Sequence, residues 1–224
     1  ESLARSRYDA LQVKLNKRFS NGFSFQTSYA FAKQIDQVGY LNPQDTVLYK
    51  RLASFDVPHR FVASGVYELP FGRGRSRLAA LRGVWGKLIE GYQLNVIYAA
   101  QSGIPLDISG AESLGRSAKL TSGQSVNRWF DTTAFRQRET LEYVGLSRLP
   151  DVRPPGKNNW DISIYKNTGI TEKLKLQFRV EAFNALNHPE YSSPGTTFGS
   201  ANFGVITSTN TFARQLQFGL KLLW

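Results

Sequence analysis

Two histidines, His59 and His188, and the run Gly72-Arg73-Gly74-Arg75-Ser76-Arg77 are the residues from which any chemistry would have to be built. Cysteine is absent, which removes thiolate metal sites, disulfides and thiol nucleophiles together. The histidines lie far apart in the chain, one beside Arg60 and the other beside Pro189, and no metal-ligand spacing or nucleophile elbow accompanies them. A dyad built on one histidine is the only catalytic arrangement left open. The glycine-arginine run lacks the lysine and the strand-to-helix setting of a phosphate-cradling loop, and no aromatics are interleaved with it to stack nucleobases. The sequence therefore predicts no enzyme, no cofactor and no metal.

Charge is the next candidate for function. Lysine and arginine number 28 against 17 acids, a formal net charge of +11. Such an excess raises nucleic acid as a partner, but the bases are spread along the chain, with one local run in Arg73, Arg75, Arg77, Arg82 and Lys87. That distribution fits anionic lipid headgroups, an anionic substrate or plain solubility equally well, and no nucleic-acid partner is predicted. The stretch 110–158 carries Arg116, Lys119, Arg128, Arg136, Arg138, Arg148, Arg153 and Lys157. It is read as a charged, solvated loop, with attraction of lipopolysaccharide phosphates or an anionic ligand as the sharper alternative.

The elements that must carry these residues are strands. Leu11, Val13, Leu15 and Phe19 alternate with Gln12, Lys14, Asn16 and Arg18, a period of two over Tyr8 to Phe19. Ser20-Asn21-Gly22 supplies a tight hairpin, and Phe23, Phe25, Thr27, Tyr29 and Phe31 then alternate with small or polar residues. A third strand over Arg60 to Leu69 is less regular, because Val62 and Val66 share a side with Arg60, Ser64 and Glu68. Residues 77–90 suggest a short helix or an extended hairpin at a membrane interface. A fourth strand is placed over Gly91 to Ile108 and a fifth over Trp160 to Asn167. In the sixth, Leu174, Leu176, Phe178, Val180 and Ala182 oppose Lys173, Lys175, Gln177, Arg179 and Glu181; in the last, Leu216, Phe218, Leu220, Leu222 and Trp224 oppose Gln215, Gln217, Gly219 and Lys221.

The connections alternate in length: short at 20–22, long at 36–57, intermediate at 70–90, long at 110–158, short at 168–172 and long at 188–212. Short turns on one side and long loops on the other are the expected pattern of an up-and-down membrane barrel, whose strands need only about 9–11 residues each. Counted back from Trp224, the short turns fall on the periplasmic side. A soluble antiparallel sandwich is the competing architecture, disfavoured because soluble strands usually run about 5–6 residues. An odd set of seven strands would not close a bacterial barrel. The chain also has no methionine and no export signal at Glu1, so it is read as a fragment with further strands before Glu1. A third and weaker possibility is a soluble basic β-sandwich that binds nucleic acid.

Several segments then carry a family resemblance. Tyr8-Asp9-Ala10-Leu11-Gln12-Val13-Lys14-Leu15 with Lys17-Arg18-Phe19-Ser20-Asn21-Gly22 resembles the Oar-like branch of TonB-dependent receptors. So do Asp56-Val57-Pro58-His59-Arg60-Phe61, Tyr67-Glu68-Leu69-Pro70-Phe71-Gly72, Gln101-Ser102-Gly103-Ile104-Pro105, Asn159-Trp160-Asp161-Ile162-Ser163 and Glu181-Ala182-Phe183-Asn184-Ala185-Leu186-Asn187-His188-Pro189. The resemblance implies that residues 1–224 are the C-terminal part of an all-β, antiparallel, up-and-down outer-membrane barrel, about seven of its 22 strands. It also implies uptake of an unidentified ligand across the outer membrane of a Gram-negative bacterium, energised by a TonB complex acting through a missing N-terminal region that includes the plug. On this reading Leu216, Phe218, Leu220, Leu222 and Trp224 form a lipid-facing strand that resembles the signal read by the barrel-assembly machinery. Lys14, Arg18, Lys173, Lys175, Gln177, Arg179 and Glu181 would face the bore, in contact with water, plug or solute. The second function considered is a surface interaction protein for which the barrel is only an anchor.

Overall fold

The computed structural model describes residues 3–139, 142–143, 148–149 and 151–224. Long alternating segments with many branched and aromatic residues fold into seven extended strands: β1 (Arg5–Ser20), β2 (Phe23–Gln37), β3 (His59–Glu68), β4 (Tyr92–Gln101), β5 (Lys157–Gly169), β6 (Lys175–Phe183) and β7 (Gln215–Leu223). Each pairs antiparallel with the next in chain order, giving an open meander in which β1 and β7 are the free edges. A two-residue segment, Arg51–Leu52, adds to the end of β2. The β1–β2 hairpin closes through Asn21 and Gly22, at φ 54° and 75°. Two consecutive left-handed residues define the primed turn whose twist matches its strands, which is why Asn-Gly stands there.

Three connections differ from the sequence expectation. β2 runs on to Gln37 although the apolar alternation has ended, because Gln34 to Gln37 pair with Tyr8 to Arg5 of β1 on one side and Ile35 and Asp36 with Leu52 and Arg51 on the other. β4 stops at Gln101 rather than Ile108: Ser102 N still bonds the His59 carbonyl at 2.9 Å in ladder register, and the pairing goes no further. At the next residue, Gly103, a Cβ would lie 2.2 Å from the Pro154 oxygen, so only glycine passes. β6 begins at Lys175, leaving Lys173 and Leu174 in the turn, where Ile170 and Thr171 both donate to the Leu174 carbonyl. Between β3 and β4 the 69–91 connection contains a short helix, α1 (Gly83–Ile89).

The register sets the two faces of the sheet. One row runs Phe25, Gly65, Val96, Ile162, Ala182, Leu216, and the row beside it Phe23, Tyr67, Leu94, Ile164, Val180, Phe218. The rows next to them lie on the opposite face: Asn16, Gln26, Ser64, Ile97, Asp161, then Ser24, Val66, Asn95, Ser163, Glu181, Gln217. Val62 and Val66 do occupy the polar face, so the irregularity of the third strand is real and harmless to the pattern.

The apolar face is uncovered. Leu11, Phe31, Ile164, Phe178, Phe218 and Leu220 are all exposed, and Ala32 is the one buried hydrophobic residue on the seven strands among the described residues. A soluble sandwich requires a second layer over that face, and none is present among the described residues. The buried hydrophobic core lies instead in the long connections at one end of the sheet. Leu106, Ile108, Ala111, Ala118, Phe130, Ala134, Phe135, Leu149 and Val152 cluster there, with Trp129, Phe198 and Phe203 against them.

Candidate functional site

Two surfaces need a functional account: the polar face and the cap formed by the long connections. The polar face exists because hydrophilic residues predominate at every second position of the strands, and the register keeps those positions in step across the sheet. It bears a cavity of about 520 Å³ whose polar lining includes Gln26, Ser64, Asn95, Asp161, Ser163 and Glu181. The acids do not stand alone. The Tyr165 hydroxyl donates to Glu181 Oε1 at 2.9 Å, and the Arg179 guanidinium lies 4.7 Å from the centre of the Tyr165 ring. Arg179 Nε donates to Gln177 Oε1 at 2.6 Å, and Gln177 Nε2 donates to Asn167 Oδ1 at 2.7 Å. Asp161 accepts from Asn159 Nδ2 and from the Asn184 backbone N–H, each at 3.0 Å.

The residues expected to line a bore divide as follows. Lys14, Lys175, Gln177, Arg179 and Glu181 share the polar face. They are not one cluster: Lys14 lines a separate cavity of about 390 Å³ with Gln12, Ser28 and Arg60, and Lys175 one of about 370 Å³ with Glu68, Gln93 and Asn167. Lys173 does not belong to a strand; the earlier turn leaves it exposed at the short-turn end. Arg18 sits where the β1–β2 register slips between Lys17 and Ser20, so simple alternation does not place it on the polar face. Leu216, Phe218, Leu220 and Leu222 do share the apolar face and are exposed along the free edge. Trp224 lies just beyond β7 and is 93% exposed.

The cap is where the sequence reading needs most correction. Residues 110–158 are not simply a solvated charged loop. Ala111–Ser113 pairs with Phe135–Gln137, Leu106–Asp107 pairs with Arg148–Leu149, and a 3-10 turn spans Thr132–Ala134. Phe130, Phe135 and Phe203 meet edge to face with centroids 5.2 to 5.9 Å apart, an arrangement the ring quadrupoles favour. Phe203 belongs to the last long connection, and Trp129 N and Ile206 N bond Gly204 O and Val126 O across the same contact.

Three bases of the cap, Arg116, Arg136 and Arg153, are engaged internally. Arg116 donates to the Thr133 carbonyl at 2.6 Å and lies 3.4 Å from Asp131. Arg136 is held by Glu112 and Glu142; the Arg136 contact keeps the Glu142 carboxyl at about 2, far below its ordinary range, and Glu142 raises Arg136 in return. Asp131 is lowered mainly by the hydroxyl hydrogen bond from Thr133. The Arg148 side chain lies outside the described residues.

One contact went unanticipated. Arg153 Nη2 reaches Asp56 Oδ2 at 2.5 Å while Nη1 donates to the carbonyls of Asp56 and Gly103 at 2.7 and 2.9 Å. The other carboxylate oxygen of Asp56 accepts from Gln34 N at 2.7 Å, and the residue is 3% exposed. Trp129 Nε1 donates to the Arg153 carbonyl at 2.7 Å. This buried ion pair ties the 38–58 connection to the 102–156 connection, and the aromatic contact ties in 184–214. The available signal was Asp56 itself, an acid set just before Val57-Pro58 at a strand start.

His59 and His188 do not approach a common partner. His59 Nδ1 hydrogen-bonds the Tyr29 hydroxyl at 2.8 Å and its ring stacks on Phe31 at 5.0 Å. His188 uses its backbone, N–H to Asn184 Oδ1 and carbonyl to Asn184 Nδ2. Among the described residues no group of three or more His, Cys, Asp or Glu is arranged to hold a metal, and no helix is long and apolar enough to cross a membrane.

Against known proteins, a family model described as outer membrane beta barrel domain matches residues 1–217. No curated protein and no solved structure matches the chain.

Proposed function

The chain belongs to the outer membrane beta barrel domain family, which resides in the outer membrane of Gram-negative bacteria, and from that premise we propose that it forms part of the wall and external loops of a TonB-dependent receptor. The observation that carries this reading is the division of labour between the surfaces. An exposed apolar face suits lipid, a cavity-bearing polar face suits an aqueous bore, and the long connections on one side fold into a cap with a core of its own. An anchor that only immobilises an adhesin has no need of a polar network such as Tyr165-Glu181 and Arg179-Gln177-Asn167 along the inside of its wall.

In this role Lys14, Lys175, Gln177, Arg179 and Glu181 contact water, a plug or a passing solute, and the internally paired bases of the cap hold loop shape rather than grip an anion. The apolar residues of β7 face lipid and offer the barrel-assembly machinery an amphipathic strand. The resemblance of Asp56-Val57-Pro58-His59-Arg60-Phe61 to the Oar-like receptors gains a physical reason, because Asp56 is the acid that Arg153 clasps.

Reconstitution of the full-length protein in planar bilayers tests the proposal. A plugged receptor is expected to be silent until urea reversibly unfolds the plug and opens a large conductance, and to bind the periplasmic domain of TonB. A protein that does neither is the anchor of the second reading.

A further inference from the structure

The 69–91 connection is far longer than the other two on its side of the sheet, and nothing in the role proposed above uses it. It exposes an apolar stripe: Leu81, then Val84, Trp85 and Leu88 on α1, with Val84 and Trp85 at 74% and 73% exposure. Val84, Trp85 and Leu88, at i, i+1 and i+4, share one side of the helix, and Leu81 precedes it in the chain. Arg73, Arg77, Arg82 and Lys87 belong to the same connection, are exposed and have no ion-pair partner among the described residues, whereas Arg75 is engaged by Glu68 at 2.6 Å. Glu68 and Glu90 are the only acids in the segment and its immediate flank, so the patch is strongly basic.

The position of the helix is fixed by a lysine on the wrong face. Lys166 stands in the apolar row between Tyr92 and Phe178. Its ammonium lies 5.0 Å from the Tyr92 ring centre, donates to the Lys87 carbonyl at 2.7 Å and also bonds the Glu90 carbonyl. These are C-terminal carbonyls of α1, where a cation is favoured by unpaired oxygens and by the helix dipole. The contact holds the helix end to the apolar side of the sheet at the short-turn rim. Gly72 and Gly91 make the docking possible: a Cβ on Gly72 would lie 2.3 Å from Glu90 Cβ, and one on Gly91 2.2 Å from the Asn167 oxygen.

We propose that the 69–91 connection is a membrane-surface anchor for anionic phospholipid, with Leu81, Val84, Trp85 and Leu88 sunk among acyl chains and Arg73, Arg77, Arg82 and Lys87 on the headgroup phosphates. Lipid is the occupant because the stripe continues the apolar face of the wall and its rim carries the charge opposite to a phosphate surface. The inference rests on the barrel lying in the outer membrane and is independent of the ligand or of TonB.

The test folds the full-length protein into vesicles of phosphatidylcholine with and without phosphatidylglycerol, using lipids brominated on the acyl chains. The Trp85 signal is the difference between the wild type and Trp85→Phe, and Trp160, on the apolar face of β5, is isolated in the same way as a control. With phosphatidylglycerol present, Trp85 should be quenched by bromine and shielded from acrylamide. Combined Arg73→Gln, Arg77→Gln, Arg82→Gln and Lys87→Gln should remove most of that quenching while heat-modifiable migration persists. Acrylamide-accessible Trp85 beside a bromine-quenched Trp160 overturns the anchor alone, and so does quenching indifferent to phosphatidylglycerol and to the four substitutions. Trp85 exposed in vesicles but shielded in native outer-membrane fragments would mean a protein partner, and also overturns it. Failure of Trp160 to be quenched would instead strike the barrel reading.

Discussion

Ile162 and Ser163 are adjacent in β5 and point to opposite faces, so arginine at each asks the same strand two different questions. Ile162 lies between Val96 and Ala182 in an apolar row, Ser163 between Asn95 and Glu181 in a polar one. β5 has 13 residues; at ~3.3 Å per residue and a tilt of ~40° its membrane height is ~30 Å, which puts Ile162 near mid-depth. Arginine there should cost ~2–4 kcal/mol, a factor of ~30 to ~1,000 in the folding equilibrium. Arginine at Ser163 stays in water beside Glu181 and should stay within ~0.5 kcal/mol of the wild type. The assay is urea titration of folding into vesicles, followed by heat-modifiable migration in detergent. Equal costs at the two positions, or a neutral Ile162→Arg, would refute the assignment of lipid to the apolar face.

Other expectations concern the cap. Arg153→Ala leaves the Asp56 carboxylate buried without its cation, a loss of ~3–5 kcal/mol for removing one member of a buried pair. Protease cleavage and hydrogen exchange within 102–156 should rise while the strands stay protected; unchanged exchange would show the pair to be idle. Phe130→Ala empties the centre of the aromatic cluster, for ~3–5 kcal/mol, with the same local signature, and a global loss of folding would contradict an autonomous cap. Glu142 sits below its ordinary value of 4.5, at about 2. The contribution of its Arg136 pairing is therefore complete above the ordinary value and lost as pH falls towards 2. Cap exchange rates should climb across that window in the wild type and less so in Glu142→Gln.

The seven wall strands and their two faces were legible because a sheet wetted on one side and in lipid on the other writes itself as strict alternation, as in Leu216 to Leu222. Boundaries failed where a neighbour overrode the local pattern. Gln34 to Gln37 extend β2 because Arg5 to Tyr8 pair with them on one side while Asp56 and Arg51–Leu52 satisfy backbone on the other, and β4 ends early because the Pro154 carbonyl packs on Gly103. The polar-face residues Lys175, Gln177, Arg179 and Glu181 followed from period two alone, while Lys173 was lost to a turn displaced two residues along the chain, from 168–172 to 170–174, and Arg18 fell on a bulge. The cap was invisible: Phe130 finds Phe203, and Asp56 finds Arg153, across separations that leave no periodic trace. Lys166 was passed over because alternation treats a lone lysine among apolar neighbours as noise.

The bare flanks of β1 and β7 govern how such a ribbon is born. Each carries a ladder of amides and carbonyls with no mate among the described residues, tolerable in water and forbidden in hydrocarbon. Burial in the bilayer and the zipping of those flanks onto further strands must therefore advance together. A half-joined intermediate released without an escort should stick flank to flank with its own kind, stacking into fibrils long before it meets a membrane.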